Sequence, residues 1–155
     1  MIPRRPVAPL LAAALLSLSL ALPSAARADR VEGLLAEARD ACEGFEAGVF
    51  DPRDAVSEVD LDGAPPLARI VDEARFACSS AASMYCGSGG CAVHAVIGAQ
   101  VWTWQAPGWR TIEWGPDSIL LLGRDGGWCG GAGSQVCYEA VTWSQGDMLT
   151  IAPPP

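Results

Sequence analysis

Apolar positions along this 155-residue chain change period twice. Residues 7–22 form a nearly continuous apolar run, broken by Pro9. Val31, Leu34, Leu35, Ala38, Cys42 and Phe45 then recur every three to four residues, with Glu32, Asp40, Glu43 and Glu46 on the other side, a pattern that predicts an amphipathic helix. Asp29 with Glu32 three residues later makes a capping-box-like start, and Gly44 and Gly48 end the helix near residue 47. From residue 92 the period drops to two, Val93, Ala95 and Ile97 alternating with His94 and Val96. Further β-branched and aromatic runs follow over 101–105, 109–114, 118–122, 136–143 and 148–151. Gly and Pro punctuate them at 106–108, 115–117, 123–127 and 145–147. The pattern predicts an α+β domain, its N-terminal helix packed on an antiparallel β-meander, either a curled sheet or a small barrel.

The first apolar run reads as an export signal rather than a membrane span. It follows Arg4 and Arg5, is short for the roughly 20 residues a span needs, and leads to Ala26-Arg27-Ala28, the small residues a signal peptidase requires. Cleavage after Ala28 divides the chain into a signal peptide (1–28), one domain (29–152) and a Pro-rich tail (153–155). No membrane anchor is expected after cleavage, and the protein is expected to be periplasmic or secreted.

Charge then narrows the partners. The chain has no lysine, and Arg4, Arg5 and Arg27 belong to the leader, leaving seven arginines against 18 acids. Nucleic acid is excluded as a partner, as is lysine-based covalent catalysis. Residues 29–75 hold 13 acids and 5 arginines, whereas all six tryptophans lie between 102 and 143. An acidic front and an aromatic back, with no linker between them, read as two layers of one domain.

The six cysteines, Cys42, Cys78, Cys86, Cys91, Cys129 and Cys137, all follow the leader, as expected of a disulfide framework in an exported chain. Six cysteines allow fifteen connectivities, which sequence does not decide. Proximity favours Cys86 with Cys91 and Cys129 with Cys137, each flanking a Gly-rich loop, leaving Cys42 to Cys78. Zinc is disfavoured by the oxidising compartment and the lack of any Cys-x2-Cys pair.

Other candidate chemistry is sparse. Glu58, Asp60 and Asp62 alternate before Gly63, a spacing of oxygen ligands suited to calcium. The stretch resembles the Asp-x-Asp-Gly turn that opens a strand in FG-GAP and VCBS-type calcium-loop proteins. Ala64, Pro65, Pro66 and Ala68 replace the further ligands expected there, so a structural acidic turn is preferred and calcium is the alternative cofactor. Ser88 within Gly87-Ser88-Gly89-Gly90 lacks the acid that precedes a trypsin-like nucleophile. His94 is the one histidine and is expected to be a surface or lining residue rather than a base. Glu113 and Glu139, each near tryptophans, are the carboxylates a small glycan hydrolase would use. Trp102, Trp104, Trp109 and Trp114 are expected in the core, or, on one exposed face, as a binding surface.

The layout over 58–150 resembles small exported cysteine-containing proteins of high-GC Gram-negative bacteria: acidic turn, Cys-Gly-Ser-Gly-Gly-Cys loop, tryptophan-rich strands, then a paired-cysteine hairpin. That likeness implies a compartment and no activity. The function expected is a non-catalytic binding or structural module that meets a protein or glycan of the cell envelope. The alternatives are an inhibitor of a cationic glycan hydrolase such as lysozyme, or a small carboxylate-dependent hydrolase.

Overall fold

The computed structural model describes residues 28–115 and 117–151. All but the last residue of the expected signal peptide, and the Pro-rich tail, lie outside these described residues. Among the described residues one α-helix, α1 (Ala28–Gly44), precedes eleven strands. β1 (Phe50–Asp51) pairs antiparallel with β4 (Ala77–Cys78) in a two-residue ladder beside the helix. β2 (Val56–Val59), β3 (Ala68–Asp72), β6 (Gly90–Ile97) and β7 (Gln100–Ala106) form the first sheet in that order. β5 (Cys86–Gly87) extends it by pairing with the start of β6. β8 (Trp109–Trp114), β9 (Asp117–Arg124), β10 (Cys137–Ser144) and β11 (Asp147–Ile151) form the second, an antiparallel meander.

The molecule is therefore an α+β domain of three layers: helix, first sheet, second sheet. Strand alternation explains the order of the layers. Val93, Ala95 and Ile97 of β6, with Ala68 and Ile70 of β3, face the second sheet and pack on Leu120, Leu122, Val141 and Met148. The opposite parity, Val71 and Val96, faces the helix and packs with Val31, Ala38, Ala55 and Phe76. Phe50, Phe76 and Tyr85 meet edge to face beneath the helix at centroid distances of 5.2–5.9 Å. The meander thus splits into two facing sheets instead of curling as one, because β7 and β8 are joined through Pro107-Gly108 rather than paired by a ladder.

Three disulfides staple the layers: Cys42–Cys78, Cys86–Cys91 and Cys129–Cys137. The first ties α1 to β4, the second clamps the β5–β6 turn, and the third closes the loop into β10. Three such bridges fit an oxidising compartment. One sequence expectation shifts at the helix: it ends at Gly44, so Phe45 leaves the apolar stripe and is exposed. Glu46 and Ala47, both with positive φ, turn the chain away there. Among the described residues no helix is long and apolar enough to cross a membrane.

Candidate functional site

Each chemical candidate occupies a definite place in this frame. Asp60 and Asp62 serve their own turn: Asp60 Oδ1 accepts from the Gly63 N–H at 2.9 Å and Asp62 Oδ1 from the Ala64 N–H at 3.4 Å. Glu58 lies on β2, opposite Arg69 of β3. These are Asx-type turn contacts that replace backbone hydrogen bonds between the strands. Among the described residues no group of three His, Cys, Asp or Glu side chains is arranged to hold a metal ion.

Of the two places expected for His94, surface or lining, the surface is ruled out, since the residue is buried and only 6% exposed. Its side of β6 faces the helix layer, where Nε2 lies 3.0 Å from Glu73 Oε1 and Nδ1 2.9 Å from Thr103 Oγ1. A carboxylate at Nε2 requires the proton there, so in the neutral ring Nδ1 accepts from the Thr103 hydroxyl. The chain of bonds fastens β6 to β7 and to the short helical turn Glu73–Arg75. Nearby, the Tyr85 hydroxyl donates to the Ala38 carbonyl at 2.8 Å, and burial together with the Glu73 carboxylate pushes this phenol above its ordinary range. Ser88, by contrast, is exposed in the β5–β6 turn, and both nitrogens of the His94 ring are taken by other partners.

The two candidate hydrolytic carboxylates do not face one another. Glu139 is 2% exposed and paired to Arg124, whose Nε lies 2.6 Å from Glu139 Oε2. A second guanidinium nitrogen completes the pair, and a third donates to the Gln105 carbonyl of β7. Arg124 also lies over the Trp128 ring at 4.8 Å, so its charge closes the end of the sandwich. Glu113 is exposed and stands opposite Ser118, while Glu139 is opposite Leu122, four positions along β9. Among the described residues every buried side-chain nitrogen or oxygen has a hydrogen-bond partner.

The four tryptophans proposed as a surface separate. Trp102, Trp104 and Trp109 pack half-buried against the core between the sheets. The Trp102 Nε1–H donates to Asp147 at 2.8 Å and the Trp109 Nε1–H to Asp72 at 3.1 Å. Trp102 also meets Trp143 edge to face at 5.5 Å. These three are therefore internal, because their strand parity is that of Leu122 and Val93. Trp114 has the opposite parity and is 71% exposed.

Trp114 belongs to a different surface, the outer face of the second sheet. The registers place Arg110, Ile112 and Trp114 of β8, Ile119 and Leu121 of β9, Tyr138, Ala140 and Thr142 of β10, and Leu149 and Ile151 of β11 on that face. Trp114, Tyr138, Leu149 and Ile151 are all exposed, and so is Val136 just before β10. At one end Arg110 lies 4.8 Å over the Tyr138 ring. There a shallow groove of about 310 Å³ is lined by Pro107, Trp109, Arg110, Val136 and Tyr138 together with Gly108 and Gly123. Gly123 leaves that room, since a Cβ on it would stand 3.2 Å from the Gly108 carbonyl oxygen. Patches of this kind are uncommon on monomers without a partner. The sequence carried a sign of it: the unbroken Ile119-Leu120-Leu121-Leu122 run is apolar on both parities, whereas a sheet with one solvated face alternates. No family model, curated protein or solved structure matches this chain.

Proposed function

We propose that this chain is an exported, non-catalytic binding module of the cell envelope, periplasmic or secreted, and that it meets its partner through the outer face of the second sheet. The observation that carries this reading is the exposed apolar face itself, held out by a sheet whose other side packs Leu120, Leu122, Val141 and Met148 into the core. The leader ending in Ala26-Arg27-Ala28 and the three disulfides support export. The test is photo-crosslinking in the periplasm with a reactive residue placed at Leu149 or at the helix position Glu43. Adducts are expected from Leu149 and not from Glu43, and the reverse pattern overturns the assignment of the face.

A second reading has one observation in its favour. Residues 29–75, net charge −8 by count, are carried by the helix, the front hairpin and their connections, none of them on the apolar face. That distribution suits a cationic target steered by charge, as an inhibitor of lysozyme or a similar glycan hydrolase would need. Stoichiometric inhibition of lysozyme supports it, and full lysozyme activity with the protein in excess removes it. Nothing favours the hydrolase alternative, since Glu139 is sealed by Arg124.

A further inference from the structure

The first sheet ends on a strand with one neighbour. Among the described residues β7 pairs with β6 alone, and the register runs unbroken from Cys91 opposite Ala106 to Ile97 opposite Gln100. A two-residue turn, Gly98-Ala99, joins the strands, and Gly98 takes a φ of 61°. That hairpin makes Ile97 and Gln100 a hydrogen-bonded pair, and bonded pairs alternate along an antiparallel ladder. Gln100, Trp102, Trp104 and Ala106 therefore turn their N–H and C=O groups to β6, whereas Val101, Thr103 and Gln105 turn theirs outward. The Gln105 carbonyl obeys this parity, since it accepts from Arg124 of the other sheet. Among the described residues no backbone group outside the ladder bonds to Val101 or Thr103. Edge strands are ordinarily blunted by charge, proline or short length. β2 carries Glu58, β8 Arg110 and Glu113, and β11 Asp147, but β7, the longest edge strand, has neither charge nor proline.

Beside this edge lies a groove of about 320 Å³, lined by Val101 and by Arg30, Gly33, Leu34 and Glu37 of α1. Those helix positions recur at three- and four-residue steps, so one face of α1 forms the wall. Gly33 holds the groove open. Glycine inside a helix is unfavourable, and a Cβ at Gly33 would meet nothing within 4 Å, so no close packing accounts for it. We infer that an extended peptide segment of a second protein adds to β7 as a further strand, at a site independent of the outer face of the second sheet. Val101 and Thr103 offer it two donors and two acceptors at the spacing of a β ladder. Alternate side chains of the added strand fall on the α1 side, where Gly33 leaves room for an apolar one against Leu34 and Val101. The helix holds five acids against two arginines, so a neighbouring basic side chain is drawn to Glu37. A second copy joined edge to edge would set two such helices side by side, and that repulsion selects a separate, basic segment instead.

Selection of displayed random peptides of about ten residues, the upper length of an ordinary strand, against the disulfide-intact protein tests this. Enriched sequences are expected to alternate apolar with polar residues and to carry arginine or lysine. A synthetic peptide of such a sequence should slow hydrogen exchange at the Val101 and Thr103 amides. Methylating its backbone nitrogens at alternate positions should abolish binding in one of the two sets. Gly33→Trp, which fills the groove, should weaken binding at least about tenfold. Gly33→Ala should keep binding and melt no lower than wild type, and Ile151→Glu should leave binding unchanged. No enrichment, or enriched peptides that leave both amides unprotected, overturns the added strand. So does protection without peptide: if it rises with protein concentration a second copy holds the edge, and if it is constant another segment of this chain does. Binding lost in Ile151→Glu and kept in Gly33→Trp puts the peptide on the outer face, which overturns the edge site and leaves that contact face standing.

Discussion

Arg124 joins three strands at one point, and its charge makes the junction asymmetric. It pairs with Glu139 on β10 and donates to the Gln105 carbonyl on β7, so one side chain from β9 bridges the two sheets. Removing the cation leaves a carboxylate that is 2% exposed and without a counter-charge. Breaking one partner of a buried pair costs about 3–5 kcal/mol, while replacing both by apolar groups of similar size is often neutral. Arg124→Ala should therefore lose several kcal/mol in denaturant unfolding, and Arg124→Met with Glu139→Leu should recover most of it. A single variant within about 1 kcal/mol of wild type would show that water reaches Glu139. Nothing in the sequence distinguished Glu139 from Glu113, since both stand in strands near tryptophans. What separates them is which one a cation from the next strand can reach. The glycines of the 87–90 loop looked equally alike. Only Gly90 has a positive φ there, 101°, and only at Gly90 would a Cβ collide with backbone, 2.2 Å from the Ala106 carbonyl carbon.

Elements were more legible than contacts. The six back strands fall within two residues of their alternation-based limits, because alternation and Gly/Pro punctuation are both local signals. The front was harder. β2 and β3 pair across the acidic turn, yet β2 is only Val56-Ser57-Glu58-Val59, too short and too polar to be read as a strand before its partner is known. The choice between core and surface for the tryptophans was open in the sequence for a related reason. Parity within β7 was readable, but the direction in which that parity points depends on the second sheet. The helix depends on packing in the same way. It is attached by Cys42–Cys78, whose loop spans 36 residues, and by the Tyr85 bond to Ala38. Replacing both cysteines by serine should cost roughly 3–4 kcal/mol by loop-closure arguments. Helix amides should lose hydrogen-exchange protection before those of β9 and β10 do, because the sheet core is built from other residues. Equal loss of protection in all layers would mean that the helix and the sheets unfold as one unit.

At the scale of the whole molecule, charge opposes what the disulfides and core hold together. Residues 29–155 carry seven arginines against 18 acids, and the ion pairs among the described residues include Arg75 with Asp54 and Asp72. Glu43 and Glu46 crowd the end of the helix, where the dipole is negative and the last turn holds no basic residue. Both the dipole and the excess of like charge disfavour the folded state there. Salt shortens the reach of such repulsion from ~30 Å at 0.01 M to ~3 Å at 1 M. Sodium chloride should therefore raise the melting temperature by a few degrees, which for a domain of this size corresponds to roughly 1 kcal/mol. Salt also strengthens apolar burial, so the rise alone does not identify its cause. Glu43→Gln with Glu46→Gln separates the two effects. If repulsion is responsible, the double variant melts higher than wild type at low salt and gains less on adding salt. If apolar burial is responsible, the two proteins gain equally, and the acidic front is then a recognition surface that the fold tolerates at little cost.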